Sequence, residues 1–225
     1  MTSQSPTLLL THSRMELALH QLRQTDGPPL LLLHGLGERS PLAVPSPADR
    51  WPGAIWHLDF TGHGGSDVPV GGGYTAEVLM GDVDTALAHL GPCTILGRGL
   101  GGYVGLLIAG ARPDLVNGAI ITDGPGLAGG GIEPGSVVVH RFVSTRRETP
   151  DPYALVELAR DIRPPDYATS FARQALQYGP TDPAISVASV HRPPWLTAVA
   201  AEFGVWETTL DSALDHYAEA ITGSD

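Results

Sequence analysis

The sequence predicts an α/β protein built on a doubly wound, mostly parallel sheet, and three observations carry that prediction. Leu30-Leu31-Leu32-Leu33 is an unbroken apolar run, as a parallel strand buried on both faces requires. Strand-like and helix-like patterns then alternate as far as Thr122, the signature of successive βαβ units. Turn chemistry also falls at the junctions, with Gly91-Pro92 after a helical pattern and Pro113 and Asn117-Gly118 before a strand.

Each element has its own justification. Thr7–Thr11 and Glu16–Leu22 form a strand pair, the second alternating apolar and polar residues. Leu30–Leu33 is the first central strand and ends in His34-Gly35-Leu36-Gly37. A proline-rich loop follows, with Pro41, Pro45, Pro47 and Pro52. Ile55–Phe60 is the next strand. Thr75 caps a helix that reaches Leu90 and places Val78, Leu79, Val83, Ala86, Leu87 and Leu90 on one face. Cys93–Leu96 is a buried strand, Leu100–Arg112 a helix and Ala119–Thr122 a strand. Beyond them lie a glycine-rich loop over Gly124–Gly135, a strand at Val137–Val139 and helices at Pro152–Ile162 and Tyr167–Gln177. Ile185–Val190 reads as the last strand and Thr208–Ile221 as a final amphipathic helix. Residues 1–225 form one domain, in which 151–180 are either a small helical lid over the strand ends or a flank of the seventh strand; the cap is reduced or absent.

Composition narrows the function. A length of 225 residues supports one sizeable core, and a formal charge of −11 opposes binding to nucleic acid or an anionic membrane. One cysteine, Cys93 in a core strand, forms no internal disulfide, and no Cys/His spacing suggests a metal site. The N-terminus lacks the pattern of a signal peptide, and no apolar run approaches the ~18 residues of a membrane span. These features predict a cytoplasmic protein with no cofactor, whose partner is a small-molecule ligand or ester-like substrate; the composition allows a homodimer.

Three motifs in chain order carry a resemblance. His34-Gly35-Leu36-Gly37 follows a buried strand. Asp59-Phe-Thr-Gly62-His63-Gly64-Gly-Ser66-Asp67 follows the next. Gly97-Arg98-Gly99-Leu100-Gly101-Gly102 lies between a strand and a helix. Together they resemble the α/β-hydrolase superfamily over roughly the first 125 residues: an H-G-x-G oxyanion loop, a D-x-x-G-H-G-x-S turn and a nucleophile elbow. At the elbow apex, where the superfamily carries serine, this chain has Gly99. The resemblance implies that the amides of Leu36 and Leu100 face a developing oxyanion. It makes Gly35 the turn residue of that loop, and His34 and His63 loop-tying groups rather than proton carriers.

The resemblance leaves two residues for the triad acid, Asp123 after the Ala119–Thr122 strand and Asp151 ahead of a helix, and each also reads as a loop or capping carboxylate. His191, after Ile185–Val190, is the candidate terminal-loop histidine, though Arg192-Pro193-Pro194 replaces the small residues expected there. Arg98, beside the apex, is a candidate for an anionic ligand group. Ser66 belongs to the Asp59 turn and reads as a loop or helix cap; Ser136, Ser144 and Ser189, on or beside strands, have no matched base. A second reading fits the same turn: Gly97-x-Gly99-x-x-Gly102, with Asp123 at the end of the next strand, is also a dinucleotide fingerprint.

These readings leave three functions: a hydrolase-like protein without its nucleophile, non-catalytic or impaired, that binds a small apolar ligand or a partner; a non-covalent hydrolase or lyase using His191 and the two amides; and a dinucleotide binder. They also place an apolar pocket near Leu36, Leu100, Trp195 and Phe203. Because glycine relaxes the strained apex, Gly99→Ser is expected to lower stability by about 1–2 kcal/mol, and its turnover tests whether the rest of the site is still assembled.

Overall fold

The computed structural model describes residues 7–135 and 148–222. Among the described residues eight strands form one sheet, in chain order β1 (Thr7–His12), β2 (Met15–Arg23), β3 (Leu30–Leu33), β4 (Ile55–Leu58), β5 (Cys93–Arg98), β6 (Val116–Thr122), β7 (Ile185–Val187) and β8 (Trp206–Glu207). Their spatial order is β1-β2-β4-β3-β5-β6-β7-β8. Among these eight, only β2 runs antiparallel to its neighbours; every pairing from β4 to β8 is parallel.

The period of two explains the sheet's apolar runs. Leu31, Leu33, Ile95 and Ile121 enter one core, with residues of helices α1 (Ala76–Leu90), α2 (Leu100–Ala111), α4 (Pro165–Tyr178) and α5 (Pro194–Ala200). Leu30, Leu32, Ile55 and Ile120 enter the other, with Ala48 of a short 3-10 turn (Ser46–Arg50) and Ala213, Leu214 and Tyr217 of α6 (Leu210–Thr222). All four leucines of β3 are buried, each worth about 1.5–3 kcal/mol. α2 is buried on every side except at Ala111, so its sequence shows little amphipathic pattern.

Thr75 caps α1 as the sequence predicts, its hydroxyl accepting from the Val78 amide at 3.3 Å. Other expectations change. Asn117-Gly118 lies inside β6 rather than in a turn. A side chain at Gly118 would run into the Tyr217 ring, so glycine is what lets α6 pack against the strand. Ile185–Val190 shortens to β7 and is not the last strand; α5 and β8 follow it. The proposed strand at Val137–Val139 lies outside the described residues, as do Ser136 and Ser144.

The 151–180 segment divides. α4 packs against α2, α5 and β7 as part of the helical layer. α3 (Pro152–Arg160) instead lies over the loops at the strand ends: Glu157 accepts from the Gly73 and Tyr74 amides, each at 2.7 Å, and Leu155 abuts Gly37. No helix among the described residues is long and apolar enough to cross a membrane.

Candidate functional site

Gly99 occupies the turn between β5 and α2 with φ 56° and ψ −117°, a left-handed conformation that favours glycine. A Cβ there would collide with the Pro125 carbonyl oxygen and lie 2.5 Å from the Gly124 carbonyl carbon. The sequence Gly124-Pro125-Gly126 follows Asp123 directly, and its backbone covers the apex. The amides of Leu36 and Leu100 are brought together as expected, but both donate to one acceptor: the Pro125 carbonyl oxygen, at 3.0 and 2.9 Å. An oxygen of the chain itself thus lies between the two donors that the resemblance assigns to an oxyanion. Neither Pro125 nor this contact was legible in the sequence, where residues 124–135 read only as a loop.

The loop is anchored from outside. Arg163, in the α3–α4 connection, is buried; its Nη1 donates to the Gly126 and Leu127 carbonyls, both at 2.6 Å, and its guanidinium lies over Tyr103 at 4.3 Å. Trp195 Nε1 donates to the same Leu127 carbonyl at 2.8 Å, and the Gly130 amide reaches Asp161 O at 2.8 Å. Burial lowers the Arg163 pKa to about 10, with Asp161 acting the other way, so the group stays a cation at neutral pH. Arg163→Met removes this clamp while keeping an apolar stem. The Leu36 and Leu100 amides should then exchange with solvent at least about tenfold faster, an opening cheaper by ~1.4 kcal/mol. Unchanged protection at both amides would show that Arg163 does not hold the loop.

The other candidate residues are placed as follows. His34 is buried, its Nδ1 donating to Gly35 O at 2.7 Å and its Nε2 accepting from the Phe60 amide at 3.1 Å. Burial, with His63 nearby, lowers its pKa to about 4, so it is neutral. His63 accepts from the Gly37 amide and Ser66 donates to Asp59 O, so both tie loops together. Asp59 is buried, which alone would raise its pKa, but donors from His20, Gly65 and Ser40 hold it well below the usual range. The Gly35 amide donates to Glu38, whose carboxylate also pairs with Arg98 Nε at 3.1 Å; Arg98 Nη1 reaches Asp123 O at 2.9 Å.

Asp123 does not pair with a histidine ring. Its carboxylate accepts from Ser189 Oγ at 2.6 Å and from the Val190 and His191 amides at 2.7 and 2.9 Å. Desolvation raises its pKa, but these three donors more than offset it and keep it ionised. His191 itself is exposed; its amide donates to Asp123, and its ring contributes an electrostatic attraction without a hydrogen bond. Because β8 lies beyond it, His191 follows the seventh strand, and Thr208-Thr209 occupy the loop after the last one. Asp151 caps α3, accepting from the Tyr153 amide at 3.2 Å and the Tyr74 hydroxyl at 2.6 Å. Asp123 and His191 are thus brought together through an amide and a carboxylate, without a hydrogen bond from the imidazole ring, while Asp151 is engaged by Tyr74 and α3.

The dinucleotide reading fails on the same geometry. A pyrophosphate needs free amides at the helix N-terminus. Here Leu100 N donates to Pro125 O and Gly101 N to His34 O at 3.1 Å.

A cavity of about 580 Å³ does exist, on the other face of the sheet from α2. The ends of β3 to β7 floor it, and the 38–48 loop and the start of α6 wall it. It includes Leu32, Leu96, Ala188 and Leu210, with His57 beside them. It does not include Leu36, Leu100, Trp195 or Phe203: Leu100 and Trp195 are core residues and Phe203 is fully exposed. The apolar pocket expected near those residues is therefore displaced to the opposite face.

No family model matches the chain, and no curated protein matches it by sequence. Solved structures do match. A carboxylesterase of Nitrososphaera gargenis aligns at a TM-score of 0.63 and 13% identity, over 97% of each chain. The Butyrivibrio proteoclasticus protein Est1E, solved with ferulic acid bound, aligns at 0.62 and 15%, over 96% of this chain and 98% of that one. A membrane phospholipase A aligns at 0.53 and 17%, over 99% and 87%. The strand order, the single antiparallel strand β2 and these full-length likenesses agree: the chain has the α/β-hydrolase fold.

Proposed function

We propose that this protein uses the hydrolase fold to bind a small apolar molecule and has given up serine-hydrolase chemistry. The observation that carries the reading is the Pro125 carbonyl seated on the Leu36 and Leu100 amides above a glycine apex. Acyl transfer needs a nucleophile, a base within hydrogen-bond reach and donors left vacant for the oxyanion. At this turn the nucleophile side chain is missing, the donors hold a main-chain oxygen, and His191 hydrogen-bonds Asp123 through its amide rather than its ring. An oriented water attacking in place of serine would need those same donors. Binding is supported by the displaced cavity, whose volume of about 580 Å³ falls in the range of small-molecule sites.

The test is hydrolysis of short p-nitrophenyl esters, with fluorophosphonate labelling, by the unmodified protein and Gly99→Ser. Both should stay at the uncatalysed rate and unlabelled. Turnover by the unmodified protein would overturn the reading.

A further inference from the structure

The cavity behind the sheet has an uneven charge pattern. Its walls are mainly leucine, proline and alanine, and four charged side chains reach it: Glu38, Arg39, Arg98 and Asp123. Three of these are engaged. Glu38 is paired with Arg98, and Arg98 also holds the Asp123 carbonyl. Asp123 has both carboxylate oxygens occupied by three donors. Arg39 is exposed and has no hydrogen-bond or ion-pair partner among the described residues. His57, buried beside it, is neutral, its pKa lowered to about 3 by burial and by His34, and its Nδ1 is bonded to Ser40 Oγ at 2.8 Å.

We propose that this cavity binds an apolar monocarboxylate, with the hydrocarbon body against Leu32, Leu96, Ala188 and Leu210 and the carboxylate on Arg39. The proposal rests on the reading of the chain as a binding protein. A guanidinium whose donors have no partner among the described residues matches a planar carboxylate in a fork-to-fork pair. One unmatched cation suits one negative charge, and the chain's formal charge of −11 disfavours more highly charged anions. Glu38 and Asp123, which would oppose a carboxylate, face it already compensated by Arg98 and by the loop amides.

Calorimetric titration with decanoate, decanol and decylamine tests this, because the three share a body and differ in head group. Decanoate should bind at least about tenfold more tightly than decanol, and decylamine more weakly than either. Arg39→Gln should erase the advantage of the acid and leave decanol binding unchanged. Leu210→Trp should fill the cavity and abolish both, with the thermal unfolding midpoint of each variant serving as the control for folding. Equal affinities for acid and alcohol, preference for the amine, or no binding by the folded unmodified protein would each overturn the proposal. Ester turnover is read separately. A silent protein that ignores decanoate refutes this inference alone, whereas a turning-over protein refutes the non-catalytic reading and leaves the titration to stand by itself.

Discussion

Replacing Gly99 with serine is expected to cost about 3 kcal/mol of stability, more than apex strain alone suggests, and to restore no esterase activity. The sequence leaves that turnover open; in the structure Pro125 O covers the apex and holds both amides. The cost has two sources. A residue with a Cβ at φ 56° carries left-handed strain of about 1 kcal/mol, and the added atom overpacks the site by about 1–3 kcal/mol. The second source is the larger because the atoms it meets are the backbone of Gly124 and Pro125, not the end of a flexible side chain. In a protein of this size the loss lowers the melting temperature by roughly 6–12 °C. Gly99→Ala should cost nearly as much, since the clash begins at Cβ. A serine variant as stable as the parent, or one that turns over esters, would mean that the Pro125 loop yields and that the amides of Leu36 and Leu100 can be vacated.

Acid should destabilise the protein well above the range in which carboxylates titrate. His34 and His57 are buried and neutral, with pKa values lowered from 6.5 to about 4 and about 3. Burial is the first cause for both; His63 adds to it at His34 and His34 adds to it at His57, and the two rings stack at 5.8 Å. Below pH 6.5 the unfolded chain binds a proton at each position that the native state refuses. Their neutral-state stability is therefore complete above that pH and falls as pH drops toward about 4. Each contributes a slope of ~1.4 kcal/mol per pH unit, so by pH 5 the pair removes about 4 kcal/mol. Urea unfolding at pH 7, 6 and 5 should show this slope, and His57→Gln should roughly halve it. A urea midpoint independent of pH over that interval would refute the assignment of two neutral buried rings.

Much of the architecture is legible in the sequence because it depends on short-range pattern. The Leu30–Leu33 run, the Thr75 cap and the turn motifs after β3, β4 and β5 each report locally on strand, helix or turn, and together they predict the sheet's first six strands. The second half is less legible for physical reasons. β8 has two residues and takes its place from pairing with β7, so it leaves no periodic signal. In the sequence His191 therefore stands after the last strand that carries a pattern, whereas in the fold β8 follows it. Gly118, read as a turn, is small because a distant tyrosine needs its space.

By itself the sequence determined two things: the fold class, and the absence of a side chain at the apex between β5 and α2. Both follow from residue identity and spacing along the chain. Only the tertiary structure decided what fills that turn. The acceptor is a main-chain carbonyl, which every residue possesses, so nothing in residue type marks Pro125 as the partner of Leu36 and Leu100. Likewise Arg39 and Arg98 are equal cations in the sequence; folding brings Glu38 to Arg98 and leaves Arg39 at the cavity without a partner among the described residues. Contacts between residues far apart in the chain set the occupancy of the turn and the balance of charge, and such contacts form only when the sheet and its loops close together.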